Sequence, residues 1–443
     1  MDATSPPRYR RYSRSGPAPA PSTDLPPYSR HNTPPGGRHT PREPTEHVFQ
    51  IMSNKDRAWA TLKVFSSAKS AKSLPTFYEK ESINGIVELE VERGDSIQAI
   101  NATVTGRVIT GAGMDDVCSF LNVTIPVWAK TGSSRSPSPA FENNKLCGRH
   151  TFPFSIVLPR TVSLTVREPK TFRLPETFLE RHTPATVQYD LIVTISRSKM
   201  RSDSHIKTAF GYVPSSRPDT PSILRQASYA ENLPLMGPDS DPEGWRTHDP
   251  VVIRGVMFKT RPVQVECTIS LSKPLSYTRG SVIPCMMKLE GADESALDVL
   301  SEPSSIAVSL RRRVRYSCKG LSSKQKEQFE DVGIAVWWPT AGSSSHRRYL
   351  EGEIRLAKDL KASSDVGHFS ISYHVVLNPF DVAGYTHLEP EALIMDSVSI
   401  MTMHAKGPRP QAYAPPAYDP ITREVNDTFS AMRQMTLATP VIG

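Results

Sequence analysis

From Val48 to Leu377 apolar residues return at every second position, and that period excludes a helical body. Val87, Leu89 and Val91 alternate strictly with Glu88, Glu90 and Glu92. Ile100, Ala102, Val104, Gly106 and Val108 share one parity, while Asn101, Thr103, Thr105 and Arg107 share the other. The same rhythm runs through Phe152 to Leu158, Val187 to Ile195, Val265 to Leu271, Ile283 to Leu289, Ile306 to Leu310 and Phe369 to Leu377. Successive side chains of an extended chain point to opposite faces, whereas a helix repeats at about 3.6 residues. Each run therefore predicts a strand with one buried face. Gly, Pro, Asn and Ser turns separate the runs, so the expected class is all-β, built from antiparallel β-sandwiches. Helical periodicity is almost missing; its best candidate is short and polar, residues 323–331.

Proline divides the chain. Eleven of the 40 prolines fall in residues 1–46, a segment with one Leu and no Ile, Val or Phe. Such a segment cannot bury enough apolar area to offset chain entropy and is expected to be a disordered tail. Residues 404–443 turn proline-rich again and are expected to behave likewise. A second interruption, residues 214–250, holds seven prolines and little alternation. It predicts an extended connector between two sandwiches, 47–213 and 251–403. Residues 131–144 and 340–348 are expected as exposed loops.

Several function classes find little support. The net charge of +8 over 443 residues is a mild excess that does not demand nucleic acid. The five cysteines are odd in number and lack CxxC spacing, so no disulfide framework or zinc site is expected. The twelve histidines form no HExxH, and no GxSxG or GxxxxGK[ST] occurs, so no catalytic residue, metal or cofactor is predicted and the chain reads as a non-enzyme. Cys267 and Cys285 fall on inward strand parity and read as small core hydrophobes, and Trp337-Trp338 as a core or sheet-edge anchor. No secretory signal and no membrane-spanning helix is expected, because no apolar run is long enough.

The tails carry the sharpest motifs. Pro6-Pro7-Arg8-Tyr9 and Pro415-Pro416-Ala417-Tyr418 are PPxY sequences, and Leu25-Pro26-Pro27-Tyr28 fits the looser LPxY form. WW domains present aromatic grooves to prolines already held in polyproline II geometry. The tyrosine three residues after the first proline, one polyproline turn on, then reaches a second pocket. Predicted WW-binding residues are therefore Pro6, Pro7, Tyr9, Leu25, Pro26, Tyr28, Pro415, Pro416 and Tyr418.

A second candidate lies in the body. Residues 311–316, RRRVRY, are the densest basic run and continue the strand from Ile306. Arg311, Arg313 and Arg315 fall on the outward parity and could face anionic lipid headgroups or acidic tails. Arg312 shares the core parity, which implies either a fraying strand end or a buried acidic partner. Ser136 and Ser138, each followed by Pro, and Ser228, in Arg225-Gln226-Ala227-Ser228, fit kinase patterns.

Four segments resemble a known family: GRHTFPFSIVLP (148–159), LPETF (174–178), ATVQYDLIVTISR (185–197) and KPLSYTRGSVIPCMMKLEG (273–291). In order and spacing they are similar to arrestin-like proteins of the fungal alpha-arrestin type. The resemblance implies two tandem immunoglobulin-like β-sandwiches, the arrestin fold. It implies a cytoplasmic adaptor, recruited peripherally to the plasma membrane or endosomes, that binds cytosolic regions of membrane transporters or receptors. It further implies recruitment of a WW-domain HECT-type ubiquitin ligase, with ubiquitination and endocytosis of the cargo. A ligase-independent sorting scaffold, like the retromer-associated arrestin-fold proteins, is the alternative.

Overall fold

Strands dominate because the alternating segments find partners that cover their apolar faces. The computed structural model describes residues 43–416 and 418, apart from 54–55, 112, 114–115, 131–140, 143–144, 166–168, 199–200, 318–324, 368, 389–390 and 417. The motifs at Pro6, Pro7 and Tyr9 and at Leu25, Pro26 and Tyr28, and the serines Ser136 and Ser138, lie outside the described residues.

Residues up to 213 supply two five-stranded sheets. One runs in the order Thr45–Met52, Ala58–Ser66, Ser82–Asp95, Lys145–Val157, Phe141–Glu142. The other runs Thr76–Tyr78, Ser204–Val213, Thr186–Arg197, Ile97–Ile109, Val117–Ala129. The predicted parity holds: Val87 and Leu89 are buried while Glu90 is exposed, and Val187, Tyr189, Leu191, Val193 and Ile195 are all buried. The Tyr189 ring packs at a tilt against Tyr212, centroids 5.3 Å apart, and its hydroxyl donates to the Pro175 carbonyl at 2.7 Å, so its polar end is satisfied inside the core.

Residues 245–401 build a third, curled sheet. Its path passes from Ile394–Met401 through Phe369–Leu377, Val308–Ser317, Gln325–Pro339, Arg347–Arg355 and Val282–Glu290 to Arg261–Ser272 and Val251–Met257. The long strand Gln325–Pro339 changes partner midway. Up to Ile334 it pairs with Val308–Ser317, and from Ala335 it pairs with Arg347–Arg355. Such switching lets one sheet fold over its own core. Gly352 serves the curl: a Cβ there would lie 2.5 Å from the ring of the opposing Trp337, so only glycine lets that indole lie flat on the strand. Trp337 is fully buried, as an anchor should be. Among the described residues no ladder joins a strand before Val213 to one after it, and the two parts meet through side chains such as Phe178 and Phe369, 5.1 Å apart.

Two expectations fail for physical reasons. Of the helix candidate 323–331, residues 325–331 are described, and they are not a helix but the start of the strand Gln325–Pro339. Its charges pair across the ladder with arginines, a tertiary complementarity that overrides the polar pattern. Residues 214–250 are not simply extended either, since they contain helix α1 (Ile223–Glu231). Ser222 caps its start by accepting from the Arg225 N–H, and Asn232 ends it in the left-handed region at φ 57°. Pro221 and Pro234 flank the helix and do not interrupt it, so proline density here marks helix boundaries. A second short helix, α2 (Glu294–Leu300), was not expected from the sequence.

Candidate functional site

After the strand Ile394–Met401 the chain doubles back and is fixed to the body. Thr402 Oγ1 donates to the Pro214 carbonyl at 2.7 Å and accepts the Ser216 N–H at 2.9 Å. The Met403 N–H reaches the Ser216 carbonyl at 2.8 Å, and Arg217 donates to the His404 carbonyl. Farther on, Gln411 Nε2 donates to the Tyr229 carbonyl of α1 at 2.9 Å. Tyr413 stacks on Tyr229 with centroids 6.5 Å apart and planes 20° from parallel. Its backbone N–H points at Glu353 Oε2, 2.8 Å away. The expected tail thus runs ordered against α1 and the strand Arg347–Arg355 as far as Tyr413.

Pro415, Pro416 and Tyr418 follow directly. Pro415 is half-buried, Pro416 is exposed, and Tyr418 is 40 % exposed with its N–H donated to the Pro415 carbonyl at 2.9 Å. The Tyr418 ring is thus exposed five residues beyond Tyr413, whose N–H is fixed to Glu353.

The arginine strand differs from its expected form. Arg311 makes a two-pronged contact with Asp331, Nε to Oδ1 at 2.8 Å and Nη2 to Oδ2 at 3.1 Å, and that hydrogen bond raises the Arg311 pKa. Arg313 pairs with Glu327, whose carboxyl is held below its usual range by that bond, and lies 5.8 Å over the exposed Phe329 ring. Arg315 is half-buried and adds to the positive field at Glu327. Arg312, only 7 % exposed, resolves the question its parity raised: it grips Glu180 at 2.7 and 2.6 Å and Glu330 at 2.6 Å. Burial opposes its charge, but the bond to Glu180 and the two nearby carboxylates outweigh it and raise its pKa.

Glu176 and Glu180 escaped the sequence reading. Both lie in the segment between Pro169–Arg173 and Thr186–Arg197. Buried Glu176 takes Arg279 Nη1 at 3.1 Å, Lys361 Nζ at 3.2 Å and the Ala362 N–H at 3.2 Å. The two glutamates clamp this segment to the later sheet. The only sequence signal was a pair of acids four residues apart between apolar positions, which is too common to single out.

Ser228 sits inside α1, 4 % exposed, with its hydroxyl donated to the Pro234 carbonyl at 3.2 Å. A kinase reaches it only when α1 opens. Cys267 and Cys285 are buried, and burial pushes the Cys267 thiol up to about 12, so both stay protonated and unreactive. Among the described residues no group of His, Cys, Asp and Glu could hold a metal ion, and no helix is long and apolar enough to cross a membrane. No family model matches the chain, and no curated protein matches it either.

Proposed function

We propose that this chain is a non-catalytic adaptor that presents Pro415-Pro416-Ala417-Tyr418 to a WW-domain HECT-type ubiquitin ligase while its β-body binds cytosolic segments of membrane proteins. In this reading the sheets form two tandem immunoglobulin-like sandwiches of the arrestin type, about residues 47–213 and 251–403. The mechanism is tethering: the ligase is concentrated beside cargo lysines, and the chain itself makes and breaks no bond. Ubiquitination and endocytosis then follow at the plasma membrane or endosomes.

The observation that carries the reading is the exposed Tyr418 ring, five residues past the point where Tyr413 is pinned to Glu353. Anchoring shortens the tether, and a short tether raises the effective concentration of ligase near the body. The pairing of Arg311 with Asp331 and of Arg313 with Glu327 takes away the free charge that a lipid-headgroup role needs.

The test is retention of full-length chain by immobilised tandem WW domains. Tyr418→Ala should lower retention severely, and Tyr9→Ala/Tyr28→Ala/Tyr418→Ala should remove it. Equal retention of the triple variant would overturn the ligase arm and leave the ligase-independent sorting scaffold.

A further inference from the structure

Pro415 and Tyr418 are joined by a hydrogen bond, the Tyr418 N–H donating to the Pro415 carbonyl at 2.9 Å. A bond from a residue back to the third before it closes a β-turn and brings the turn's ends within about 7 Å. Polyproline II has no internal hydrogen bonds and advances about 3.1 Å per residue, so the same stretch spans roughly 9 Å in that form. The two conformations exclude each other. A groove that reads the first proline and the tyrosine one polyproline turn apart therefore meets them here drawn together by a turn.

The body covers part of the motif as well. Ala414 and Pro415 are half-buried, whereas Pro416 is exposed. A proline gripped between aromatic rings needs both faces free, and Pro415 offers only part of its surface. Ala414 alone separates Pro415 from Tyr413, whose N–H is donated to Glu353 Oε2 at 2.8 Å. Glu353 is 2 % exposed, and its other oxygen, Oε1, has no hydrogen-bond partner, with Arg355 Nε 3.5 Å away. A buried acceptor stripped of its donor costs the full desolvation of that group, so Tyr413 is not lifted from Glu353 lightly. Stacking of Tyr413 on Tyr229 and the Gln411 bond to the Tyr229 carbonyl add to the hold.

We propose that this is a cis-inhibitory contact: the surface made by Glu353 and Tyr229 holds the tail so that the Pro415 and Tyr418 motif rests closed. A WW domain binds only the fraction of chains in which the turn is open and Tyr413 has left Glu353. The apparent affinity falls by that open fraction. The coupling is reciprocal: whatever frees Tyr413 strengthens WW binding, and a bound WW domain frees Tyr413. The inference rests on the adaptor reading above and adds the regulation of the same site.

The experiment measures the affinity of a single WW domain from a HECT-type ubiquitin ligase, its activity first verified on an unrelated PPxY peptide. It is titrated against full-length Tyr9→Ala/Tyr28→Ala chain, which keeps only the Pro415–Tyr418 motif of the three, and against a synthetic peptide of residues 409–424. The peptide should bind about ten times more tightly than the chain, or better. Glu353→Gln in the full-length chain alters the anchor and no part of the motif, and should recover most of that difference. Tyr413→Pro, made in chain and peptide alike, deletes the donated N–H from the tail side. It should bring the two affinities together even if Glu353→Gln fails to fold. Hydrogen exchange gives the reciprocal readout: saturating WW domain should speed exchange of the Tyr413 amide in the full-length chain about tenfold or more. Equal binding by chain and peptide overturns the inference and leaves the adaptor reading standing. So does a gap that neither variant narrows, or Tyr413 exchange that the bound domain leaves unchanged. A peptide that the verified domain does not bind overturns the adaptor reading, and this inference with it.

Discussion

The backbone N–H of Tyr413 is donated to the carboxylate of Glu353 at 2.8 Å, across 60 positions of sequence. Glu353 lies in the strand Arg347–Arg355 and is almost fully buried, so this carboxylate is held within the sheet to receive a peptide group from the tail. Tyr229 of α1 closes the arrangement by stacking on the Tyr413 ring. The segment that precedes residues 415–418 therefore packs on the body, held by the strand Arg347–Arg355 and by Tyr229 of α1.

Removing the charge at Glu353 should loosen that segment without unfolding the sheets. A hydrogen bond to a charged group is worth about 1.5–3 kcal/mol, and a neutral amide oxygen recovers only part of it. In Glu353→Gln the Tyr413 amide should exchange hydrogen roughly ten to a hundred times faster than in wild type, while amides of Phe369–Leu377 keep their protection. Hydrogen exchange followed by mass spectrometry measures both. Unchanged exchange at Tyr413 would show that stacking on Tyr229 alone holds the tail.

Arg312 should matter more to stability than its outward neighbours. Substituting Met removes the two-pronged contact to Glu180 and the Arg312 contact to Glu330. Breaking a buried pair costs about 3–5 kcal/mol, and the partial exposure of both carboxylates reduces this to about 2–3 kcal/mol. Arg311→Ala and Arg313→Ala, at more exposed pairs, should each cost under about 1 kcal/mol. Urea titrations rank the three. A double-mutant cycle of Arg312→Met with Glu180→Gln should show a coupling of about 0.5–3 kcal/mol, and additivity would mean that the clamp carries no energy.

The strands were legible because burial on one face leaves a period that any single sequence displays. Phe369–Leu377, read from Phe369, Ile371, Tyr373, Val375 and Leu377, matches its observed bounds. The strand Gln325–Pro339 was not legible. The charges of its first half face Arg311 to Arg313 on another strand, and no window along residues 323–331 contains those partners. Helix α1 was hidden because its prolines flank it and nine residues give too little periodicity to register. The tyrosine motif of the tail could be read directly, but its anchor could not. Glu353 looks like any acid in a strand until Tyr413 is brought to it.

Acid should destabilise the chain partly through Glu79 and Asp95. Burial works to raise both carboxyls, but the Ser215 N–H and Arg173 outweigh it at Glu79, and Arg197 outweighs it at Asp95, so both end below their ordinary values of 4.5 and 3.8. A carboxyl whose pKa is lower folded than unfolded contributes stability above the unfolded value and loses it as pH falls through the folded value. Asp95→Asn, which leaves Arg197 without its 2.8 Å partner, should cost about 1–3 kcal/mol at pH 7. That deficit should stay constant down to about pH 5 and shrink steadily below pH 4. Denaturant midpoints of both proteins across pH 3–7 measure it. A deficit that persists at pH 3 would mean that Asp95 acts by packing and not by charge.

Ser228 ties modification to the same region. Its hydroxyl is spent on the Pro234 carbonyl just beyond the end of α1, and the residue next to it is Tyr229, the platform for Tyr413. A phosphate or carboxylate cannot be accommodated there without expelling the side chain to water, because an unpaired buried charge costs far more than one helix turn contributes. Purified kinase acting on the Arg225-Gln226-Ala227-Ser228 pattern should therefore modify the folded chain slowly and a synthetic peptide of residues 220–234 quickly. Ser228→Asp should lower the melting temperature by a few degrees, as expected for about 1–2 kcal/mol in a chain of this size. It should also make the chain between 404 and 416 susceptible to limited proteolysis, since losing α1 removes the acceptor for Gln411 and the stacking partner for Tyr413. Proteolysis indistinguishable from wild type would show that the tail is held by Glu353 without help from α1.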